Sequence, residues 1–140
     1  MAQITEHKNF LATNAIDLSD ATARKQVKQK AAVLAIEEAE NIKGEDLVLL
    51  NVKNISSLSD YILIITANSS THCNAIAENI RVQAKKNKVS VLGFESDPLS
   101  EWVLIDLGDT IVHVMQKEKR QYYALEKLWQ FTIDKASGNR

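Results

Sequence analysis

Side chains with catalytic or metal-binding chemistry are few in this sequence: His7, His72, His113 and a single cysteine, Cys73. No histidine has a second histidine or cysteine at the spacing of zinc ligands. His72 and Cys73 are neighbours, but adjacent helical residues point about 100° apart, whereas a catalytic Cys–His pair must lie within hydrogen-bond reach. We therefore expect no metal site, no cofactor and no catalytic residue, and a buried, structural Cys73.

Two further segments have some features of phosphate chemistry. The segment ITANSSTH places hydroxyls and backbone amides at a predicted helix start, where anions bind, but it lacks the glycines that let phosphates approach closely. Asp106 and Asp109 are separated by a predicted turn at Gly108, so they do not form the paired carboxylates that hold metal ions in nucleotidyl transfer. An enzyme is the less favoured class, although a nucleotidyltransferase-like enzyme stays open as an alternative.

A β-hairpin over 101–116 is the element that carries most information. Gly108 and Asp109 fit a two-residue type II′ turn, which fixes the opposing residues of the two strands. Side chains alternate between the two faces of a strand. One face is apolar apart from Thr110 and comprises Val103, Ile105, Leu107, Val112 and Val114. The other face is mixed and comprises Trp102, Leu104, Asp106, Ile111, His113 and Met115. We expect the apolar face to be core and the mixed face to be an interaction surface.

The remaining pattern predicts a single α+β domain (α/β mixed) with a five-stranded mixed sheet and three helices. The predicted strands are 46–52, 60–67, 89–94, 101–107 and 110–116, and the predicted helices are 21–42, 70–87 and 119–133. We expect Ser19 to cap the first helix, whose basic residues crowd its start against the helix macrodipole. About four helices are needed to cover both faces of such a sheet, so part of it, including the mixed hairpin face, is expected to stay open.

Length, charge and cysteine content further restrict the classes of protein to which this chain could belong. The 140 residues suit one domain, which we place over 20–134, between a loose N-terminal arm over 1–19 and a loose C-terminal tail over 135–140. The net charge of -1 leaves only a local basic patch for RNA, and the basic cluster over 24–30 is the candidate. A single cysteine and the absence of a signal-peptide pattern favour a cytoplasmic protein.

Three segments together resemble the ribosomal silencing factor (Iojap-related) family: DYILIITANSSTH, EWVLIDLGDTIVHVM and YYALEKLW. The likeness covers about 21–131 and is most specific over 102–115. Two motifs differ, because many relatives have TGTSSRH at TANSSTH and often GxEG at GFES. The first difference weakens any anion or RNA contact expected there.

The resemblance implies a translational repressor that is not an enzyme. Family members bind the large ribosomal subunit through its fourteenth protein, hinder joining of the small subunit and lower translation when nutrients are scarce. Free members form homodimers. Their α/β domain has a nucleotidyltransferase-like topology without that active site. An RNA-binding ribosome assembly factor is the second alternative, with RNA contact otherwise secondary and no membrane partner.

The resemblance and the mixed hairpin face together predict the partner-binding residues. The tryptophan and tyrosine of the family's ribosome-facing motifs match Trp102 and Tyr123. Trp102 is the expected apolar anchor, and Asp106 is expected to pair with a basic residue. The full set is Trp102, Leu104, Asp106, His113, Met115 and Tyr123. The alternative that His113 is only hydrogen-bonded within the sheet, and that Tyr123 only packs on its helix, stays open.

Overall fold

The fold is built on one mixed sheet of six strands, seen in a computed structural model that describes residues 15–54, 57 and 59–120. The strands are β1 (Ala15–Ile16), β2 (Glu45–Asn51), β3 (Tyr61–Ala67), β4 (Gly93–Ser96), β5 (Trp102–Asp106) and β6 (Thr110–Gln116). The helices are α1 (Ala21–Lys25), α2 (Lys30–Asn41) and α3 (Ser70–Lys86). The strand order is β1-β2-β3-β6-β5-β4. Only the β3–β6 pair is parallel among these strands.

The predicted α+β class with a single mixed sheet is confirmed, but the strand count of five is wrong. The additional strand is β1, in which Ala15 and Ile16 pair with Leu50 and Leu49 of β2. It lies inside the segment that we predicted as a loose arm. Two residues are too few to show an alternating pattern, so only the pairing with β2 reveals this strand.

Several predicted segments fall wholly or partly outside the described residues. They are the first 14 residues of the predicted arm, the tail over 135–140 and most of the predicted helix over 119–133. Residues 117–120 are helical, immediately after β6. In the part of the chain that the structure describes, no helix has the length and apolar character needed to cross a membrane.

The single helix predicted over 21–42 is wrong, because the chain forms two helices here. Asp20, not Ser19, caps α1 by accepting a hydrogen bond from the amide of Thr22 at 2.9 Å. Gln29 then takes an extended conformation and its side-chain amide donates to Asp60. Val27, between the helices, is buried in the core. The break therefore depends on long-range contacts, and neither glycine nor proline marks it in the sequence.

The break also explains the apparently unfavourable charges of this region. Arg24 and Lys25 lie in the last turn of α1, where the helix dipole favours cations. Arg24 reaches across to α2 and forms a two-pronged ion pair with Glu40, at 2.5 and 2.9 Å. This carboxylate raises the pKa of Arg24. The basic cluster over 24–30 is thus partly neutralised within the domain.

The main core lies between the sheet and the helices α2 and α3, on a surface that we call the helix face. Ile76, Ile80 and Ala84 of α3 recur at helical spacing and are fully buried there. Ser69 begins α3 by accepting a hydrogen bond from the amide of His72 at 3.0 Å. Gly44 follows α2, and a Cβ there would lie only 2.8 Å from Ile65, so this close approach requires glycine.

The opposite surface of the sheet, which we call the outer face, carries a second and smaller apolar cluster. Leu50, Ile62, Ile64 and Met115 are all at most 1% exposed. We expected part of the sheet, including the mixed hairpin face, to stay open, and this is wrong for the described residues of the central strands β3 and β6. Every residue of β3 is buried, which fits the continuous apolar run over 62–65 of a strand that is covered on both faces. At the hairpin and the neighbouring edge strand, Trp102 and Asp106 are partly exposed on this face and Glu95 is exposed.

The edge strand β4 begins later than the predicted strand over 89–94. After α3, Lys88 takes a left-handed conformation with φ of 62°, and the amide of Val89 bonds to the carbonyl of Ala84 at 2.8 Å. Val89 is buried and Val91 packs on the core without joining the ladder. Val89 and Val91 are therefore apolar because they pack on the core and not because they belong to a strand. Pairing with β5 starts at Gly93.

Candidate protein-binding groove

The hairpin of β5 and β6 has the predicted register. Trp102 pairs with Met115, and Leu104 pairs with His113. Gly108 has a φ of 89°, which fits the first central position of the predicted turn. The predicted apolar face is fully or almost fully buried on the helix face of the sheet. The mixed face therefore lies on the outer face, as predicted.

A groove opens on the outer face at the edge of the hairpin, and we call it the Trp102 groove. It has a volume of about 270 Å³ and is lined by Glu95, Ser96, Asp97, Trp102 and Leu104. The indole of Trp102 is half-buried, and Leu104 is 7% exposed. The groove thus combines apolar walls with carboxylates, the composition that a partner with an apolar and a basic side chain would fit.

The loop between β4 and β5 fixes one end of the groove. The Asp97 carboxylate accepts hydrogen bonds from the amides of Glu101 at 2.7 Å and Trp102 at 2.9 Å. The carbonyl of Trp102 accepts from the amide of Asp97 at 3.2 Å. Ser100 completes the reversal with a left-handed φ of 55°. These bonds hold the backbone from which the indole projects.

His113 holds the indole itself. The indole N–H of Trp102 donates to Nδ1 of His113 at 3.0 Å, and the two ring centroids lie 5.9 Å apart. A ring nitrogen that accepts a hydrogen bond carries no proton, so this contact needs the neutral imidazole with its proton on Nε2. His113 is 0% exposed. His113 therefore fixes the orientation of the Trp102 indole, and its own side chain is not accessible to solvent.

The structure separates the predicted partner-binding residues into exposed and buried groups. Trp102 and Asp106 are at the surface, and Leu104 lines the groove. His113 and Met115 are 0% exposed, so the expectation that they form an interaction surface is wrong for the domain as described. Strands β3 and β6 are the two central strands of the sheet, and Met115 packs in the outer-face cluster with Leu50 and Ile62. Tyr123 lies outside the described residues.

Arg120 closes the outer face beyond Met115. Its guanidinium donates to the carbonyl of Asp46 at 2.8 Å and to the hydroxyl of Thr66. Thr66 is paired with Met115 across the β3–β6 ladder, so the guanidinium lies over this end of the sheet. Burial lowers the pKa of Arg120.

Carboxylates give the rim of this region a negative character. Asp106 is partly exposed, and one of its oxygens accepts from the amide of Gly108 at 2.9 Å. Its opposite residue on β4 is Gly93, whose lack of a side chain leaves Asp106 uncovered on that side. Glu95, opposite Leu104, is exposed. This arrangement suits a partner that carries lysine or arginine.

Sequence reasoning missed the contribution of the edge strand and its loop. Glu95, Ser96 and Asp97 line the Trp102 groove, but they lie between the predicted strands 89–94 and 101–107 and were not among the predicted partner-binding residues. A usable signal was present, because an aspartate before proline commonly bonds to backbone amides further along a turn. Here Asp97 bonds to the amide of Trp102 itself.

The remaining reactive side chains have structural roles. The Cys73 thiol is buried, donates to the carbonyl of Val114 at 3.3 Å, and has its pKa raised by burial to about 11. His72 accepts from the amide of Asn68 and its other nitrogen lies 2.7 Å from the carbonyl of Ile42. Within the described residues, no group of three or more His, Cys, Asp or Glu side chains could hold a metal ion.

The fold and the groove define an α+β domain with an apolar, acid-rimmed surface at one sheet edge, and known proteins share this domain. The family model described as ribosomal silencing factor during starvation matches residues 22–139. The chain is 39% identical over 101 residues to ribosomal silencing factor RsfS of Chromobacterium violaceum, covering 72% of this chain and 83% of that protein. It is 42% identical over 96 residues to RsfS of Bacillus subtilis, covering 69% and 81%.

A solved structure gives the same result. A crystal structure of a Chromobacterium violaceum protein aligns with a TM-score of 0.68 at 38% identity, covering 73% of this chain and 85% of that one. The chain therefore belongs to the ribosomal silencing factor family, and the resemblance read from the three sequence motifs is confirmed. Its class is that of ribosome-associated proteins that silence translation.

Proposed function

We propose that this protein represses translation by docking on the large ribosomal subunit through its fourteenth protein, which sterically blocks joining of the small subunit. The repression acts in the cytoplasm under nutrient limitation and needs no catalysis. Free chains form homodimers. The observation that carries the proposal is the Trp102 groove, whose apolar walls Trp102 and Leu104 belong to the sequence segment most specific to the family.

The groove has the properties of a protein-docking site. Tryptophan contributes heavily to binding energy when it is buried at an interface, and Trp102 is half-buried before any partner is bound. Its indole is held by His113 and its backbone by Asp97, so little side-chain freedom is lost on binding. The Trp102 groove is therefore preorganised for binding a partner.

The charges around the groove favour one kind of partner surface. Glu95 and Asp106 present carboxylates beside the apolar walls. An apolar partner residue flanked by lysine or arginine would fill the groove and neutralise the rim. We accordingly expect a basic patch on the fourteenth protein to face Asp106.

Capture and joining experiments test the proposal. The immobilised full chain is incubated separately with purified large and small subunits, and we expect it to retain the large subunit only. Preincubation of large subunits with the chain should then reduce the light-scattering signal of subunit joining. The variant Leu92→Ala is the control, because Leu92 is 68% exposed and lies outside the groove. Capture of the small subunit alone, or unimpaired joining, would refute the proposed mechanism.

A further inference from the structure

A basic groove lies beside the end of α3, separate from the Trp102 groove. It has a volume of about 600 Å³ and is lined by Arg81, Lys85, Lys88, Val89, Ser90 and Val91. Lys86 follows Lys85 in the last turn of the same helix, and Lys85, Lys86 and Lys88 are exposed. In a chain whose net charge is only -1, this is a strong local concentration of positive charge.

The three lysines are not used by the fold. None of them is in an ion pair among residues 15–54, 57 and 59–120. The last carbonyls of α3 already accept hydrogen bonds from the amides of Asn87, Lys88 and Val89. The helix dipole favours cations at this end, but the helix does not need the lysine side chains to satisfy its carbonyl groups.

An exposed aromatic ring adjoins the basic groove. Phe94 of β4 is 39% exposed, and the Arg81 guanidinium lies 6.0 Å from its ring centroid. Arg81 is also paired with Glu78, so the net charge of the site comes from the lysines. Aromatic rings beside lysines are the arrangement that binds single-stranded nucleic acid, because bases stack on the ring while the cations contact phosphates.

We propose that this basic groove binds single-stranded RNA, with Lys85, Lys86 and Lys88 contacting phosphates and Phe94 stacking on a base. The choice of RNA over another polyanion rests on membership of a ribosome-associated family. Phe94 and Glu95 are consecutive on β4 and face opposite sides of the sheet. The RNA site and the Trp102 groove therefore open on opposite sides of the same edge strand.

The test is fluorescence anisotropy of the full chain with a labelled 20-nucleotide oligouridylate over a range of KCl concentrations. The double variant Lys85→Gln and Lys88→Asn removes two charges, and asparagine tolerates the left-handed backbone of residue 88. We expect roughly 25-fold weaker binding at 100 mM KCl and a salt slope shallower by about 1.4, since each single-strand phosphate contact contributes about 0.7.

The matched control is the double variant Lys25→Gln and Lys28→Asn, which removes two exposed lysines from the cluster over 24–30. It should bind RNA like the wild type. A third variant, Phe94→Leu, should bind about fivefold more weakly or worse without a change in salt slope, because it removes only stacking.

Several results would overturn the proposal: no RNA binding by the wild type at 50 mM KCl, equal losses in both lysine double variants, or binding only to phosphatidylserine vesicles. The assay contains no ribosomal subunits. Its failure would leave the proposed docking through Trp102 intact, whereas failure of subunit capture would not affect this result.

Discussion

The two faces of the β5–β6 hairpin have the same backbone and opposite properties. On the helix face, Val103, Ile105, Val112 and Val114 are all 0% exposed and belong to the main apolar core. On the outer face, the same strands carry a half-buried indole, a buried imidazole and a partly exposed carboxylate. The helix face stabilises the domain by apolar packing. On the outer face, hydrogen bonds between polar groups take the place of part of that packing.

The difference shows how a small domain can build a binding surface without losing its core. Trp102 is fixed by a hydrogen bond to a buried histidine and not by apolar packing on all sides. The polar groups that do this would be costly in the interior if they were not bonded. The position of these groups on the outer face supports the proposal that this face is the one used for recognition.

The largest effect is expected from Ile105→Ala on the helix face. The substitution leaves a cavity in a fully buried site, so the free energy of unfolding should fall by about 2–5 kcal/mol in urea titrations. The folded fraction should still bind the large subunit normally. Leu104→Ala, one residue away on the outer face, should instead weaken that binding. If folded Ile105→Ala lost binding to the large subunit, the assignment of stability to the helix face and of binding to the outer face would be contradicted.

A smaller effect is expected from Cys73, which packs on the helix face and bonds to Val114. Burial raises the pKa of the Cys73 thiol in the folded protein to about 11, above that of an exposed thiol, so the unfolded chain loses the thiol proton first. Wild-type stability should therefore fall relative to Cys73→Ala as the pH rises from 9 to 11, by about 2 kcal/mol. Urea titrations at several pH values measure this. Parallel stability curves for the two proteins would show that the thiol is not buried.

The smallest effect on stability is expected from Asp106→Asn on the outer face. The amide oxygen can still accept from Gly108, so the free energy of unfolding should change by less than about 0.5 kcal/mol. Binding to the large subunit should weaken at low salt and depend less on salt, because one rim charge is lost. Asp109→Asn, at the exposed turn, is the matched control and should leave the salt dependence unchanged.

The hairpin could be predicted in detail because its constraints are local. The Gly108–Asp109 turn fixes the register, and alternation then assigns each side chain to a face. The helix over 21–42 could not be predicted correctly, because its break depends on the contact between Gln29 and Asp60, which are far apart in sequence. The strand β1 likewise exists only through its pairing with β2.

The candidate site was only partly predictable. Alternation placed Trp102, Leu104 and Asp106 on one face, where Trp102 and Asp106 are partly exposed and Leu104 is 7% exposed. The burial of His113 and Met115 was not predicted, because the packing of Met115 with Ile62 and Ile64 depends on the pairing of β6 with β3, which the order of elements alone did not give. Glu95 and Asp97 join the site because β4 pairs with β5, a neighbour relation that hydrophobic patterning does not reveal.

The most direct test of the central claim is the dissociation constant of the purified large subunit for the wild type and for Trp102→Ala. Truncation of the anchor should remove about 2 kcal/mol or more of binding free energy, or about a 30-fold loss of affinity. Circular dichroism should show that the variant is folded. A dissociation constant that rises about 30-fold or more supports docking through the outer face, and equal constants for the two proteins would contradict it.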